Sequence, residues 1–314
     1  MGRVLYISLV TMAALVLLVL AFTYPRYSRE MSPIKERLAS SAGVANLPHG
    51  ELEYTVVGEG VPVLTLHGAG GGWDQGVWTG HLVFGDTHRL IGVSRFGYLR
   101  TPIPANASIK LQAALYRDLL NQLNIPKVIV LGLSAGGPSA TQFANDYPER
   151  TSALILLSAV GQPSAQGDQA PFYVNLIYLI QRSDYAYWLV ARFFQPSILN
   201  LLGIPAGVYA RFTPEEKQLA QEMLDTMHPM SRRYAGTRND GAMLQRQPPS
   251  TEHIEAPTLI LHATDDALVS FEHARHAHAA IADSRLVLFP SGGHGLLPQM
   301  QEVRKNVREF LGEP

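Results

Sequence analysis

The sequence contains no cysteine. This excludes a disulfide-stapled fold, a cysteine-ligated metal site, a thiol nucleophile and a cysteine-linked lipid anchor. Charged residues are also scarce, at 16% of 314 residues, and the 25 basic residues nearly balance the 26 acidic ones. The chain therefore lacks the basic excess typical of nucleic-acid-binding proteins, and at 46% apolar residues it is too hydrophobic for a disordered chain. We expect a folded protein with no nucleic-acid partner.

A run of 21 residues near the beginning of the chain, residues 4–24, carries no charged side chain. A helix rises about 1.5 Å per residue, so a run of this length spans the roughly 30 Å hydrocarbon core of a membrane. Cleavable signal peptides usually have a shorter apolar region that ends in small residues, whereas this run ends in Phe22-Thr23-Tyr24-Pro25. We predict an uncleaved transmembrane anchor over residues 1–24, with lipid contact through residues 4–24. A signal peptide and a buried core helix are the alternatives.

Basic residues flank this run unequally. Arg3 precedes it, and Arg26, Arg29, Lys35 and Arg37 follow it. The excess of positive charge after the run favours a cytoplasmic globular part, but the tail before it is too short to decide the side of the membrane. The expected location is a membrane, through a single N-terminal span.

The next segment, residues 25–50, is polar and contains Pro25, Pro33 and Pro48, which favours a linker outside the folded core. After it, short apolar runs alternate with segments of helical periodicity. Strands are predicted at residues 52–57, 62–66, 90–93, 128–131, 153–157, 258–261 and 286–289, and helices at 108–123, 138–147, 271–282 and 299–311. Continuously apolar strands are typical of a parallel sheet covered on both faces. The sequence therefore predicts an α/β fold with a doubly wound, mostly parallel sheet in residues 51–160 and 251–314.

Residues 161–250 interrupt this alternation with a helical block rich in aromatic residues. Within it, Thr213-Pro214 and Glu216 have the spacing of a helix start, with threonine as N-cap, proline at the first position and glutamate at the third. We predict a helical cap inserted into the sheet domain. Its apolar residues can pack against the sheet, line a substrate cavity, or do both.

The strongest local signal is an apolar strand that runs directly into Gly132-Leu133-Ser134-Ala135-Gly136 and then a helix. A serine at such a turn adopts a strained backbone, and the flanking glycines let neighbouring elements pass closely. The N–H groups at the start of the helix point towards developing negative charge. We therefore identify Ser134 as a candidate nucleophile; the alternative is a glycine-rich turn without catalysis.

Serine needs a base that is itself oriented by a third group. The best candidate base is His294, in a glycine-rich segment after the last predicted strand, and the best acid is Asp265 or Asp266, after the strand before it. The order serine, aspartate, histidine along the chain matches one known arrangement of a catalytic triad. Spacing alone does not choose between the two aspartates.

A second glycine-rich loop, His67-Gly68-Ala69-Gly70-Gly71-Gly72-Trp73, follows the predicted strand at 62–66. Its backbone N–H groups, together with that of Ala135, are placed to form an oxyanion hole. A phosphate-binding loop is the rival interpretation, but the Gly-Lys-Ser/Thr and G-x-G-x-x-G patterns and a suitably placed acidic residue are missing.

These motifs make the sequence similar to the α/β-hydrolase superfamily. It especially resembles bacterial members with HGAGGGxDQG, SRFGYLRTP and GLSAGGPSA segments, over residues 51–314 and least in the cap. The resemblance implies Ser134 as nucleophile, His294 as base, Asp266 ahead of Asp265 as acid, and the N–H groups of Ala69 and Ala135 as the oxyanion hole. Ser134 argues against epoxide hydrolases and haloalkane dehalogenases, which use an aspartate nucleophile. The segment Arg95-Phe96-Gly97-Tyr98 departs from the Asp-x-x-Gly-x-Gly pattern of many relatives, which weakens an assignment to carbon–carbon bond hydrolases.

We therefore expect a membrane-anchored serine hydrolase that cleaves an ester, lactone or thioester of a small apolar molecule, with no cofactor and no metal. Carbon–carbon bond hydrolysis, cofactor-free haloperoxidase or perhydrolase chemistry, and ligand binding without catalysis are the alternatives; protein partners are left open. Gly70 and Trp73 are predicted to bind substrate, although Trp73 and Trp78 could equally pack in the core. His67 is expected to buttress its loop. A metal site at His273, His276 and His278 is disfavoured because no convergent carboxylate accompanies them.

Overall fold

The computed structural model describes residues 2–162 and 179–313. Within them, eight strands form one sheet in the order β1-β2-β4-β3-β5-β6-β7-β8. Strands β1, β2 and β4 pair antiparallel, and all other neighbours pair parallel. The strands are β1 Gly43–Leu47, β2 Gly50–Val57, β3 Val61–Leu66, β4 His88–Val93, β5 Val128–Leu133, β6 Thr151–Leu157, β7 Thr258–Ala263 and β8 Ser284–Phe289.

Helices cover both faces of this sheet and form an insertion between β6 and β7. The sheet domain carries α1 Gly2–Ser40, α2 Trp73–Phe84, α3 Ile109–Gln122, α4 Gly137–Asp146, α10 Glu272–Ala280 and α11 Met300–Leu311. The insertion carries α5 Asp184–Phe193, α6 Gln195–Leu201, α7 Ala206–Tyr209, α8 Pro214–Asp225 and α9 Tyr234–Arg246. Part of the predicted cap, residues 163–178, lies outside the described residues.

Alternation along the strands divides the core into two layers. In β5, Val128 and Val130 join the apolar cluster beneath α3 and α4, whereas Ile129 and Leu131 join the cluster beneath α2 and α11. Strands buried on both faces need apolar residues at every position, which explains the continuous apolar runs. The predicted mostly parallel α/β sheet is confirmed, and the predicted strands and helices end within two residues of those observed.

The prediction of a linker at residues 25–50 is wrong. Helix α1 continues through Pro25 and Pro33 to Ser40, and the next residues form the edge strand β1. Tyr27, Met31 and Leu38 are buried. Polar composition misled the prediction, because most residues in this part of the helix are exposed and three spaced apolar residues are enough to pack it against the rest of the protein.

The first part of α1 is long and apolar enough to span a membrane. Almost none of its most apolar stretch is buried, whereas a core helix would be covered by neighbouring elements. The composition of the helix therefore agrees with a span, while its second half belongs to the globular part of the protein.

The insertion has a small apolar core of its own, built from buried residues of α5 to α8. The predicted helix start at Thr213 is confirmed, since its side chain accepts a hydrogen bond from the N–H of Glu216 and the glutamate side chain accepts one from the N–H of Thr213. These helices lie over the carboxyl ends of the parallel strands, where they enclose the candidate site.

Candidate active site

Ser134 lies at the tip of the turn between β5 and α4. Its φ of 49° is in the left-handed region, which costs a non-glycine residue free energy that the surrounding packing must offset. The packing is close: a Cβ at Gly136 would lie 2.2 Å from the carbonyl oxygen of Leu66, and one at Gly132 would lie 2.6 Å from Cβ of Ala140. The two glycines therefore allow β3 and α4 to hold the serine in its strained position.

His294 connects this serine to a carboxylate. Its Nε2 lies 2.9 Å from Oγ of Ser134, and its Nδ1 lies 2.8 Å from Oδ2 of Asp266. The imidazole is 12% exposed and the carboxylate fully buried. The structure thus brings together three side chains from the ends of β5, β7 and β8, which are up to 160 residues apart in sequence.

The two neighbouring aspartates have separate partners. Oδ1 of Asp266 accepts hydrogen bonds from the backbone N–H groups of Leu268 and Val269, both at 2.9 Å. Oδ1 of Asp265 instead accepts from the N–H groups of Gly292 and Gly293, at 2.9 and 2.8 Å. Asp265 thereby fixes the loop that carries the histidine, while Asp266 contacts the imidazole itself.

The pKa of Asp266 is set by opposing effects. Burial alone would raise it, but the charge of His294 and hydrogen bonds from His262, His294 and Val269 together hold the pKa well below its ordinary value. The carboxylate therefore stays ionised and orients Nδ1–H of His294 towards itself. Nε2 is then free to accept the hydroxyl proton of Ser134, which is the arrangement that general-base activation of a serine requires.

The glycine-rich loop after β3 is held from inside the protein. The N–H of Gly68 donates to Oε1 of Gln75 at 2.9 Å. His67 is fully buried and contacts the carbonyl of Gly68 through Nδ1 at 2.7 Å, while its Nε2 accepts the N–H of Arg95 at 3.1 Å. Burial, followed by the charge of Arg95, lowers the pKa of His67 well below its ordinary value. A neutral His67 supports the loop, as predicted.

Two backbone N–H groups remain available beside the serine. Among the described residues, no acceptor contacts the N–H of Ala69 or of Ala135. Ala69 is exposed and Ala135 half-buried, and both residues line the cavity next to the turn. Unpaired N–H groups at this place can stabilise a negatively charged oxygen.

Two cavities flank the turn, and Ala69 lines both of them. The loop cavity, of about 210 Å³, lies between the glycine-rich loop and helices α3, α4 and α9. The serine cavity, of about 80 Å³, contains Ser134 and His294 together with Trp78, Leu202, Met223, Met227 and Leu268. The surface that lines both cavities is mainly apolar.

Of the residues predicted to bind substrate, neither Gly70 nor Trp73 lines either cavity. Trp73 is 4% exposed because it begins α2 beneath the loop, and Gly70 is covered by Met227 and Met230. Trp78, one and a half turns further along α2, lines the serine cavity instead. The sequence could not place the tryptophans because helix α2 itself was not predicted.

Known proteins share this architecture. The sequence pattern of the alpha/beta hydrolase fold family matches residues 61–299. This chain belongs to that family. It is 29% identical over 255 residues to the hydrolase YcgS of Bacillus subtilis, an alignment that covers 78% of this chain and 88% of that protein.

Two further relatives of this α/β hydrolase carry more specific names. The 2-hydroxy-6-oxo-6-phenylhexa-2,4-dienoate hydrolase of Comamonas testosteroni is 26% identical over 259 residues, covering 77% of this chain and 84% of that protein. The solved structure of the esterase EaEST of Exiguobacterium antarcticum superposes with a TM-score of 0.65 at 25% identity, covering 86% of this chain and 99% of that chain.

The cap of this α/β hydrolase contacts the site through a residue that the sequence analysis missed. The carbonyl of Gly203 accepts hydrogen bonds from the N–H groups of His294, at 3.0 Å, and Ala267, at 3.2 Å. Gly203 has a φ of 84°, and a Cβ there would lie 2.9 Å from Cβ of His294. One cap residue therefore joins the histidine loop to the aspartate loop. Its signal, a lone glycine between apolar residues, was too weak to find.

Buried ion pairs tie the same cap to the sheet domain. Arg95, after β4, donates two hydrogen bonds to Asp240 of α9, at 2.6 and 2.7 Å. Arg233 of the cap donates two to Asp74 of α2, both at 2.9 Å. Bidentate pairs of this kind fix orientation as well as distance, so they set the position of the cap over Ser134.

The histidines considered for a metal have separate contacts. Nδ1 of His273 accepts the N–H of Gly161 at 3.3 Å, and Nδ1 of His278 lies 2.9 Å from Oγ of Ser284. Within residues 2–162 and 179–313, no group of three or more potential ligands is arranged to hold a metal ion.

Proposed function

We propose that this α/β hydrolase cleaves carboxylic esters of apolar small molecules through an acyl-enzyme on Ser134. The observation that carries the proposal is the continuous set of hydrogen bonds from Ser134 through His294 to Asp266, with the serine in a left-handed backbone conformation at the end of β5.

In the first half of the reaction, Oγ of Ser134 attacks the carbonyl carbon and its proton passes to Nε2 of His294. The N–H groups of Ala69 and Ala135 stabilise the oxyanion, and Asp266 stabilises the imidazolium. The alcohol then leaves with the proton from His294. In the second half, a water molecule gives a proton to His294 and attacks the acyl group, and the acid leaves as the proton returns to Ser134.

The charge of the cavities supports an uncharged substrate. Among the described residues that line them, Arg95 is the one permanent cation, and both of its terminal nitrogens already bind Asp240. A carboxylate-bearing substrate would enter without a free partner for its charge, at a substantial desolvation cost. The similarity to the esterase EaEST supports the same choice.

Carbon–carbon bond hydrolysis is the second candidate, because the Comamonas testosteroni relative is named for a dienoate substrate. That substrate carries a carboxylate, for which the described cavities offer no unpaired cation. Thioester, lactone and perhydrolase activities use the same serine and oxyanion groups, so they are separated from ester hydrolysis only by assay.

We propose further that residues 4–24 anchor the enzyme in a membrane. The support is the length and apolar character of α1 together with the exposure of its most apolar stretch. Lipid would replace water around these side chains, which the hydrophobic effect favours.

The full chain in detergent micelles should be assayed with p-nitrophenyl butyrate, a butyryl thioester, a lactone and a 2-hydroxy-6-oxo-dienoate. We expect ester hydrolysis to be fastest and to fall at least about 10⁴-fold in Ser134→Ala. Faster turnover of the dienoate would favour the carbon–carbon bond hydrolase. Binding of the substrates without any Ser134-dependent turnover would identify a ligand-binding protein and contradict the proposal.

A further inference from the structure

A third cavity lies inside the cap, and we call it the cap cavity. It has a volume of about 40 Å³ and lies among α5, α6 and the segment before α9. Its lining combines two polar side chains with mostly apolar ones, namely Gln181, Tyr187, Ile180, Val190, Ile198, Leu201 and Met230. Leu202 and Met227 line it as well, and both also line the serine cavity. The side chains of these two residues therefore lie between the cap cavity and the cavity that contains Ser134 and His294.

This separation is adaptable. Met227 is buried at 4% exposure, and its sulfur accepts a hydrogen bond from the hydroxyl of Tyr187 at 3.3 Å. Methionine has three flexible side-chain torsions and fills gaps of varied shape. A rotation of Met227 about these torsions would join the two cavities into one mainly apolar channel that starts at Ser134.

Some of the side chains that line the cap cavity are also exposed to solvent. Leu201 is 39% exposed, and Ile180 and Val190 are half-buried. Next to them stand large apolar side chains in contact with solvent, namely Leu179, Phe193 and Phe194 at 63%, 49% and 59% exposure. Exposed apolar side chains grouped beside a cavity are typical of surfaces that bind an apolar ligand or a membrane.

Helix α1 is fixed beside these exposed side chains. The guanidinium of Arg26 lies 5.7 Å from the ring centre of Phe193. A few residues further, the carboxylate of Glu30 accepts hydrogen bonds from Nε1 of Trp188, at 2.8 Å, and from Arg192, at 2.6 Å. Tyr27 and Met31 pack in the same cluster as Trp188. The apolar run at residues 4–24 therefore ends at the level of the exposed phenylalanines.

From these contacts we propose that the substrate is an ester with one long unbranched hydrocarbon chain, which enters from the membrane surface and lies along the channel through the cap cavity. The proposal rests on the ester hydrolase function and the membrane anchor proposed above, and it adds the substrate class and the route. Hydrocarbon that leaves the bilayer at the phenylalanines stays in apolar surroundings until the ester reaches Ser134.

Chain length should then control the rate. Each methylene that becomes buried in an apolar site stabilises the bound state enough to raise kcat/KM by about threefold to fourfold. If the acyl side of the ester enters the channel, we expect kcat/KM of the full chain in micelles to rise from p-nitrophenyl acetate to p-nitrophenyl dodecanoate. If the alcohol side enters, we expect it to rise from ethyl acetate to dodecyl acetate.

The decisive variant is Val190→Trp, which places an indole in the cap cavity from a half-buried position. We expect the ratio of kcat/KM for the dodecyl chain to that for the two-carbon chain to fall at least tenfold. Val61→Trp is the matched control, since Val61 is exposed at the amino-terminal end of the central strand β3, away from the cap cavity, and it should keep the wild-type ratio. Leu201→Trp provides a second test if Val190→Trp does not fold.

The outcomes separate the two proposals. Absence of Ser134-dependent hydrolysis of the short esters contradicts the proposed function. A different outcome is that short esters are hydrolysed but the chain-length ratio is the same in wild type, Val190→Trp and Leu201→Trp, for both the acyl and the alkyl series. That result would contradict the proposed channel and leave the proposed function intact. Comparing variants at each chain length in the same micelles cancels the partition of substrate into detergent.

Discussion

Two adjacent aspartates at the end of β7 have different tasks. Asp266 binds the imidazole of His294 with one oxygen and two backbone N–H groups with the other. Among the described residues, the side chain of Asp265 accepts hydrogen bonds from backbone N–H groups alone, those of Gly292 and Gly293. An amide in place of Asp265 keeps an acceptor oxygen for both N–H groups, whereas an amide in place of Asp266 can present N–H to Nδ1 and so favour the wrong tautomer of the histidine.

We predict that Asp266→Asn lowers kcat by about 10⁴-fold, as an asparagine in the acid position of a triad does. Asp265→Asn, the matched control, should change kcat less than tenfold. Initial rates with a short p-nitrophenyl ester would measure both. Equal, small effects of the two substitutions would contradict the assignment of Asp266.

A buried histidine outside the site predicts how stability depends on pH. His228 is 1% exposed, and neither ring nitrogen has a hydrogen-bond partner among the described residues. Burial, followed by the charge of Arg233, lowers its pKa to about 3. The unfolded chain takes up this proton near pH 6.5, so the free energy of unfolding falls as the pH drops from 6.5 towards 3.

We predict that His228→Phe, which preserves the ring contact with Tyr187, removes this loss. At pH 4.5 the difference corresponds to roughly 2–3 kcal/mol. Urea unfolding in micelles at pH 7.5 and 4.5 would measure it, with the exposed His276→Phe as control. A variant that loses as much stability as the wild type between the two pH values would exclude His228 as the cause.

For individual residues, the sequence was sufficient to identify Ser134 and His294 as candidates, because the strand, the glycines and the chain order all indicated them. It was not sufficient to separate Asp265 from Asp266, which depends on how the turn after β7 directs each carboxylate. Gly203 was missed because its role arises only when the cap folds over the two loops.

Among the elements of the fold, the contact between the cap and the sheet domain determines the geometry of the site. The carbonyl of Gly203 holds the loops of His294 and Asp266 at the same time. A displacement of about 1 Å between reacting groups is enough to lower rates by about 100-fold. A small displacement of the Gly203 backbone should therefore lower the rate of ester hydrolysis.

We predict that Gly203→Ala lowers kcat/KM by at least tenfold, because the added methyl meets the backbone of Leu268 and the side chain of His294 and the φ of 84° is strained for alanine. Gly207→Ala is the control, since nothing lies within 4 Å of a Cβ there. Ester hydrolysis and circular dichroism would be measured together. A folded Gly203→Ala with wild-type rate would show that the cap does not position the histidine.

The parallel strands were predictable because each is buried on both faces and reads as a continuous apolar run. Helix α2 was not predicted, since it begins directly after a glycine-rich loop and contains Gly76 and Gly80, which disfavour a helix on local grounds. The glycines are required by packing: a Cβ at either would clash with Thr65 or Leu90. Tertiary contacts thus override local propensity there, as they do in the second half of α1.

At the scale of the whole molecule, α1 serves both the proposed anchor and the cap. Its contacts through Glu30 and Arg26 orient the globular part relative to the apolar run before it. Cleavage of a signal peptide would remove the residues directly before Arg26 and Glu30, which contact the cap, whereas an uncleaved anchor keeps them.

We predict that the full chain sediments with membranes, resists extraction at alkaline pH and retains residues 1–24 on N-terminal sequencing. Inserted in a bilayer, the apolar run would bury enough surface to make insertion effectively irreversible. Release into the soluble fraction, or an N-terminus that begins after residue 24, would support the signal-peptide alternative and remove the membrane side of the substrate route.

We propose that His294 makes Ser134 an active nucleophile. This activation is tested by the intact mass of the full chain after reaction with a fluorophosphonate, followed by peptide mapping. We predict one adduct per chain, located on Ser134, absent in Ser134→Ala and formed far more slowly in His294→Ala. An unmodified wild-type protein, or an adduct on another residue that persists in Ser134→Ala, would contradict it.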